Sequence, residues 1–237
     1  MADQKAAAEA LYGSKTPSIP QKCVMQALSW LAVAAVGWFL LAGGREAIAA
    51  HFHLAWPAAT KLRGALLVAC SAIYGARLAF TQLYLIKRKM AWGETLTIAV
   101  WLWVIHGTMA WLGGTNPRAP GAVIWLGVGL YLLGSFFNTG GELLRDIWKK
   151  HPENKGRLYT GGLFRYSMHV NYCGDTLLFS GFALITGSAY AFVIPLLMAS
   201  MFVFINIPML DTYLASRYGE QFTDYARKTK KFIPFIY

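Results

Sequence analysis

The sequence predicts an all-α fold, a polytopic membrane helix bundle of six to seven transmembrane helices, and three observations point to that class. Hydrophobic residues fill 56% of the 237 positions and charged residues only 14%, where ordinary soluble domains carry about 25% charged residues. Mean hydropathy is +0.41. Nine Trp, twelve Tyr and fourteen Phe supply rings of the kind that gather in membrane cores and interfaces. So few charges cannot cover a water-facing globule, and so much apolar surface does not stay unfolded, which excludes a soluble domain and a disordered chain.

Six runs are apolar over the roughly 20 helical residues that a bilayer core of about 30 Å requires. They lie at 23–43, 63–86, 94–113, 121–139, 172–188 and 189–210. The fifth is short, and Gly187-Ser188-Ala189-Tyr190 leaves little room for a turn, so 172–210 reads as a tight helical hairpin. Between the first two runs, 45–60 holds Arg45, Glu46, His51, His53 and Trp56-Pro57. That stretch is too short and polar for an ordinary span, and a re-entrant or broken seventh helix stays open there. Ahead of the first run, 1–22 is a polar segment expected in the cytoplasm, without the basic start, apolar run and small-residue cleavage site of a signal peptide. Residues 23–237 are expected to form one transmembrane domain, with a large loop over 140–171 and a tail over 211–237.

The net charge of +11 comes from basic clusters between the apolar runs. With the N-terminus inside, seventeen Lys and Arg fall on cytoplasmic segments and four outside, while Arg77 lies within a span. This bias orients the bundle, placing the large loop and the C-terminus in the cytoplasm. Clusters of this kind meet anionic lipid headgroups, so membrane lipids are expected partners and nucleic acid is not. Cys23, Cys70 and Cys173 form neither a CxxC pair nor a His/Cys metal spacing, so no disulfide and no metal site is expected. A monomer is expected.

Chemistry concentrates in two places. The 140–171 loop carries Arg145, Lys149, Lys150, Lys155, Arg157 and Arg165. Such density suits either an anionic ligand such as a dinucleotide phosphate or lipid headgroups. Gly161-Gly162 there lets backbone amides approach and turn closely. Within the spans, Arg77 would cost at least about 2.5 kcal/mol if left alone in lipid. Tyr74 shares its helix face three positions earlier. Asn138 and Glu142 share a face at the end of the fourth span, as do Asn171 and Asp175, with Tyr172, at the start of the fifth. Intramembrane ionisable groups line a cavity or pair with one another, so this set is either a site or a tie between helices. His106, with no spaced partner, reads as a hydrogen-bonded packing residue. No Rossmann, P-loop, HExxH or GxSxG motif is present.

Gly161-Gly162-Leu163-Phe164-Arg165-Tyr166 with Asn171-Tyr172-Cys173-Gly174-Asp175 resembles the GGLFxY…NYxGE signature of steroid 5α-reductases and their bacterial relatives. Asn138-x-x-x-Glu142 resembles their Asn-x-x-x-Asp, and 152–157 resembles the bacterial PxNKGR loop. The end of the chain, 217–237, is similar to the reductase C-terminus, and Tyr74-x-x-Arg77 with Arg88 repeats a reductase spacing. The resemblance implies NADPH held in a cytoplasm-facing cavity. Its binding residues would be Arg77, Arg88, Asn138, Glu142, Lys155, Arg165, Tyr166, His169, Asn171, Tyr172 and Asp175. Tyr74 would be catalytic, hydrogen-bonding the carbonyl oxygen of a lipid-like enone as hydride reaches its β-carbon. The glutamate that those reductases use beside the tyrosine has no aligned counterpart; Glu46 is the nearest acid. His169, Asn171 and Tyr172 also resemble the RHPxYxG of isoprenylcysteine carboxyl methyltransferases. That likeness implies S-adenosylmethionine and methyl transfer to a lipid as the alternative, although Asp211 stands alone where those enzymes show paired acids.

Overall fold

Apolar runs of twenty residues or more leave the backbone no partner but itself in lipid, and here they fold as helices. The computed structural model describes residues 17–237, which contain helices and no strands. The polar segment 1–16 therefore lies outside the described residues. The helices are α1 (Ile19–Leu41), α2 (Gly44–His51), α3 (Lys61–Phe80), α4 (Trp92–Gly114) and α5 (Val123–Ser135). They continue with α6 (Gly141–Lys150), α7 (Val170–Thr186), α8 (Val193–Met201), α9 (Ile207–Tyr218) and α10 (Glu220–Lys228). Among the described residues, five continuous helical stretches are long and apolar enough to cross a membrane: Ile19–Leu41, Lys61–Leu85, Trp92–Gly114, Val123–Lys150 and Ala189–Tyr218.

The boundaries correct the sequence expectation in two places and fill in a third. The fourth span does not stop at 139; a wide π-helical turn over Phe136–Gly140 carries it straight into α6. The last runs on in the same way through Phe202–Asn206 to Tyr218. Segment 45–60, left open by the sequence, forms the eight-residue α2 after a turn at Gly43, whose φ of 82° favours glycine, and irregular chain follows it.

Helix α7, the shortest of the expected spans at 17 residues, is the hub of the bundle. It packs against α3, α4, α5 and α8, and Leu178, Phe179, Phe182, Ala183 and Ile185 are buried along it. Its tightest neighbour is α5, and glycines explain the approach. Gly127 and Gly134 on α5 face Gly174 and Gly181 on α7, each pair seven residues apart. A Cβ on Gly174 would lie 2.6 Å from the Asn138 amide nitrogen, and one on Gly127 would lie 2.8 Å from the Gly181 carbonyl oxygen. Small residues of this kind let two helix backbones touch, which is where membrane helices gain their dispersion contacts.

The far end of α7 is capped by buried groups. Gly187 turns the chain at φ 70°, Arg63 Nε donates to the Ile185 carbonyl at 3.2 Å, and Asn116 Nδ2 donates to that of Thr186 at 3.0 Å. A cation on the last carbonyls offsets the negative end of the helix. At the opposite end the tail folds back: the Met168 and His169 amides donate to the Lys230 and Lys231 carbonyls at 2.8 and 3.0 Å. Ser167 Oγ donates to Phe232 O, and the buried Tyr225 hydroxyl to Phe164 O. Burial pushes that phenol up from its ordinary range, so it remains a donor at any physiological pH.

A candidate cofactor site around Arg77

The close, glycine-lined approach of α7 to α5 brings polar residues at their ends within reach of α3. Arg77, on the last turns of α3, donates from Nε to Thr139 Oγ1 and from Nη2 to Asn138 Oδ1, both at 2.8 Å. Asn138 and Thr139 sit in the π turn 136–140, whose extra residue re-aims side chains relative to the regular helix on either side. Asp175 Oδ1 on α7 lies 3.6 Å from Arg77 Nη2. Asn138 Nδ2 donates to the Asn171 carbonyl at 3.2 Å, Asn171 Nδ2 donates to Glu142 Oε1 at 3.3 Å, and Arg145 closes the chain on Glu142. Three helices thus meet in one network that runs from Arg77 to Arg145.

One atom of the network is unused. Arg77 Nη1 is buried and has no hydrogen-bond partner, and a guanidinium donor left idle in the interior is costly unless something arrives to accept from it. Amides at Asn138 and Asn171, carboxylates at Glu142 and Asp175 and an idle cationic donor at Arg77 are the groups that ribose hydroxyls, a carboxamide and phosphate call for. A dinucleotide fits this donor set.

Tyr74 lies one turn from Arg77, the guanidinium carbon 5.6 Å from its ring centroid. Its ring is further fixed by His106 at 5.5 Å and Phe179 at 5.4 Å. All of these contacts engage the ring. Glu46, the acid nearest in sequence to the early-helix glutamate of the reductases, is not near it: it pairs with Arg45 on α2, at the other end of the bundle.

The structure divides the expected residues. Tyr74, Arg77, Asn138, Glu142, Asn171 and Asp175 come together. His169 and Tyr172 form an adjoining stack, with ring centroids 5.7 Å apart and Phe202 4.6 Å beyond Tyr172. Arg88 is instead held by Glu94 at the start of α4. Lys155, Arg165 and Tyr166 are exposed. Arg165 lines a surface groove with Leu158, Gln221 and Lys228, and Tyr166 rests its ring on Phe235. Glu142 is the partner of Arg145, so the carboxylate that Arg77 faces is Asp175.

Several polar contacts escaped the sequence reading. Asp211, which has no second acid beside it in sequence, is held by two cations or donors: His169 Nε2 lies 2.9 Å from one of its oxygens and Lys231 Nζ 3.1 Å from the other. Gln26 Nε2 donates to Gln82 Oε1 at 2.6 Å, and the buried Lys22 donates to the Ile86 carbonyl at 2.8 Å. Lys22, Gln26 and Ser29 recur at i, i+4 and i+7 on α1, a polar stripe on an apolar helix that was visible in the sequence. Asp211 and Thr139 gave no such signal, because their partners lie 42 and 62 residues away.

A family model described as "Protein of unknown function (DUF1295)" matches residues 95–229, more than half of the chain. The chain belongs to this family. The matched stretch contains Asn138, Glu142, Asn171 and Asp175 but not Tyr74 or Arg77. Among curated proteins, this DUF1295 chain is similar to the 3-oxo-5-alpha-steroid 4-dehydrogenase 2 of Mus musculus, 30% identical over 112 residues, 47% of this chain and 42% of that protein. The type 1 protein of Rattus norvegicus is 31% identical over 114 residues, 46% of this chain and 40% of its own length. The "Probable O-methyltransferase ustE" of Ustilaginoidea virens is 41% identical over 78 residues, 32% of this chain and 27% of that protein. The resemblance to steroid 5α-reductases is therefore real, and the chain spans less than half the length of the curated relatives it matches.

Proposed function

We propose that this chain is an integral membrane reductase that uses NADPH to saturate a conjugated C=C bond in a lipid-like enone. The observation that carries this reading is the network at Arg77, where Asn138 and Asp175 converge on a guanidinium with an idle donor while the Tyr74 ring lies against the same side chain. Similarity to named steroid dehydrogenases over 47% of the chain adds support. When bound, NADPH supplies the hydride. Arg77 and Arg145 hold its charged groups, and Asn138, Asn171 and Asp175 orient its ribose and carboxamide. Tyr74 would donate to the substrate carbonyl oxygen, which gains negative charge as the β-carbon takes the hydride, and a proton from solvent at the α-carbon would complete the saturated carbonyl. Phe179 and His106 flank the phenol and keep water away from it.

The bundle in this reading has six crossings, α7 being short because protein rather than lipid surrounds it. The end that carries Arg145, Lys149, Lys150, Arg157, Arg165 and the C-terminus faces the cytoplasm, where NADPH is available. Residues 23–237 act as one monomeric transmembrane domain. The purified protein in lipid nanodiscs, given NADPH and a panel of steroid enones, polyprenals and enoyl lipids, is expected to consume NADPH with at least one of them and yield the saturated carbonyl. Consumption with none of them, together with methyl transfer from S-adenosylmethionine to a lipid, would establish the alternative that the similarity to ustE favours.

A further inference from the structure

The helical stretch Ala189–Tyr218, 30 residues long, exceeds what a bilayer core requires, and its own surface shows where it leaves the lipid. Its exposed large apolar side chains run from Tyr190 to Phe204 and Ile205. Beyond them the exposed positions are Pro208, Ala215, Ser216 and Arg217. At 1.5 Å per residue, Ala189 to Ile207 covers about 27 Å, close to the hydrocarbon thickness of about 30 Å. Ile207 therefore marks the level of the interface.

The tail returns to that level. Phe232 is buried against Ile207 and Cys173. Around it the chain closes into a turn: the Phe232 amide donates to the Tyr237 carbonyl at 2.6 Å, and the Ile236 and Tyr237 amides donate to that of Ile233, both at 3.1 Å. Backbone satisfied in this way can enter an apolar medium. The side chains on the outside of the turn are apolar and uncovered. Phe235 and Ile236 are 77% and 73% exposed, with Ile233 and Tyr237 exposed beside them, and the exposed Tyr166 rests on the Phe235 ring.

Cations rim this patch. Arg227 and Lys231 have carboxylate partners in Asp224 and Asp211. Among the described residues Arg165, Lys228 and Lys230 have none, and all three are exposed. Arg165 and Lys228 line one groove of about 600 Å³. A contiguous exposed apolar patch marks an interaction surface. Rings and aliphatic side chains edged with unpaired cations, at the level where a helix leaves lipid, suit the headgroup boundary of an anionic leaflet.

We propose that 230–237, with Tyr166, is an interfacial anchor: Ile233, Phe235, Ile236 and Tyr237 enter the headgroup–acyl boundary, and Arg165, Lys228 and Lys230 bind the phosphates of anionic lipids. The anchor bears on the candidate site through the backbone. Met168 and His169, whose amides donate to the Lys230 and Lys231 carbonyls, lead directly into α7, which carries Asn171 and Asp175. A leaflet that holds the tail thus holds the entry to α7. The anchor requires only that the bundle spans a membrane, whatever reaction it catalyses.

A fluorophore on the patch tests it in the full-length protein, reconstituted in nanodiscs of phosphatidylcholine alone or mixed with phosphatidylglycerol. In a Cys23→Ser background, which removes the exposed native cysteine, Ile236→Cys carries an environment-sensitive NBD label. Glu220→Cys, at the exposed start of α10, carries the same label as the water control. The label at 236 is expected to emit to the blue of the label at 220 and to be quenched by nitroxide-bearing lipid. Equal emission at the two positions would overturn the anchor. So would a blue shift that lipid nitroxide does not quench, which would show protein, such as a second copy of the chain, over the patch. Two lysines beside an anionic surface favour docking by roughly thirtyfold. Phosphatidylglycerol is therefore expected to raise the melting temperature of the unlabelled wild type more than that of Lys228→Gln/Lys230→Gln, and an equal rise in both proteins would overturn the headgroup contact.

Discussion

In the proposed reading Tyr74 and Arg77 separate chemistry from binding, the first offering its hydroxyl and the second its charge. Tyr74→Phe keeps the ring contacts to His106, Phe179 and Arg77 and removes only the hydroxyl. It is expected to fold and bind NADPH as wild type does while turnover on an accepted enone falls roughly a hundredfold or more, the usual cost of a lost oxyanion donor. Unchanged turnover would make Tyr74 a packing residue. Arg77→Met keeps volume but strands Asp175 and unties Asn138 and Thr139. It is expected to weaken NADPH binding at least about tenfold, as loss of a charge-assisted contact does, and to lower the melting temperature. Asp175→Asn should recover part of that stability in the Arg77→Met background, since it removes the stranded charge; additive effects of the two changes would contradict the pairing. Asn138, Glu142, Asn171 and Asp175 were legible from their i, i+4 spacing and the signature around them. The identity of the partner was not: spacing along one helix says which residues share a face, and only the approach of α7 to α5 decides that Arg77 meets Asp175 while Glu142 meets Arg145.

Helices α5 and α7 make that approach possible, and their glycines make the site. With a Cβ on Gly174 falling 2.6 Å from the Asn138 amide nitrogen and one on Gly127 falling 2.8 Å from the Gly181 carbonyl oxygen, no side chain fits between the two backbones. Gly181→Leu is therefore expected to destabilise the bundle by about 1–3 kcal/mol or more through overpacking, and to weaken NADPH binding by pulling Asn171 and Asp175 off the network. Gly129→Leu, on the face of α5 where a Cβ meets nothing, serves as the control and should change neither melting temperature nor binding. Apolar length and turn residues revealed where the spans lie within a few residues. They could not reveal that the fourth and last spans run on through π turns to Lys150 and Tyr218. A π turn leaves hydropathy unchanged; what marks it is tertiary, the aiming of Asn138 and Thr139 at Arg77 and of Phe202 at Tyr172. Nor was α2 legible as a short cap, because a broken membrane helix and a surface helix share its composition.

Across the whole molecule, the proposed reading assigns the basic end of the bundle to an anionic cofactor on the cytoplasmic side. The orientation can be read by labelling intact cells that carry Lys155→Cys, an exposed position in the large loop. No reaction with an impermeant maleimide is expected until the membrane is broken, and prompt labelling would invert the bundle and separate the site from cytoplasmic NADPH. The central claim, that the Arg77 network holds NADPH, is tested most directly by melting the detergent-solubilised protein with NADPH, NADH or S-adenosylmethionine, for wild type and Arg77→Met in parallel. A ligand at a hundred times its dissociation constant stabilises by about 2.7 kcal/mol, enough to move the transition by several degrees. The account predicts that NADPH raises the wild-type transition more than NADH does, that S-adenosylmethionine leaves it unmoved, and that Arg77→Met loses most of the NADPH effect. Stabilisation by S-adenosylmethionine alone, or an NADPH shift of the same size in Arg77→Met, would contradict it.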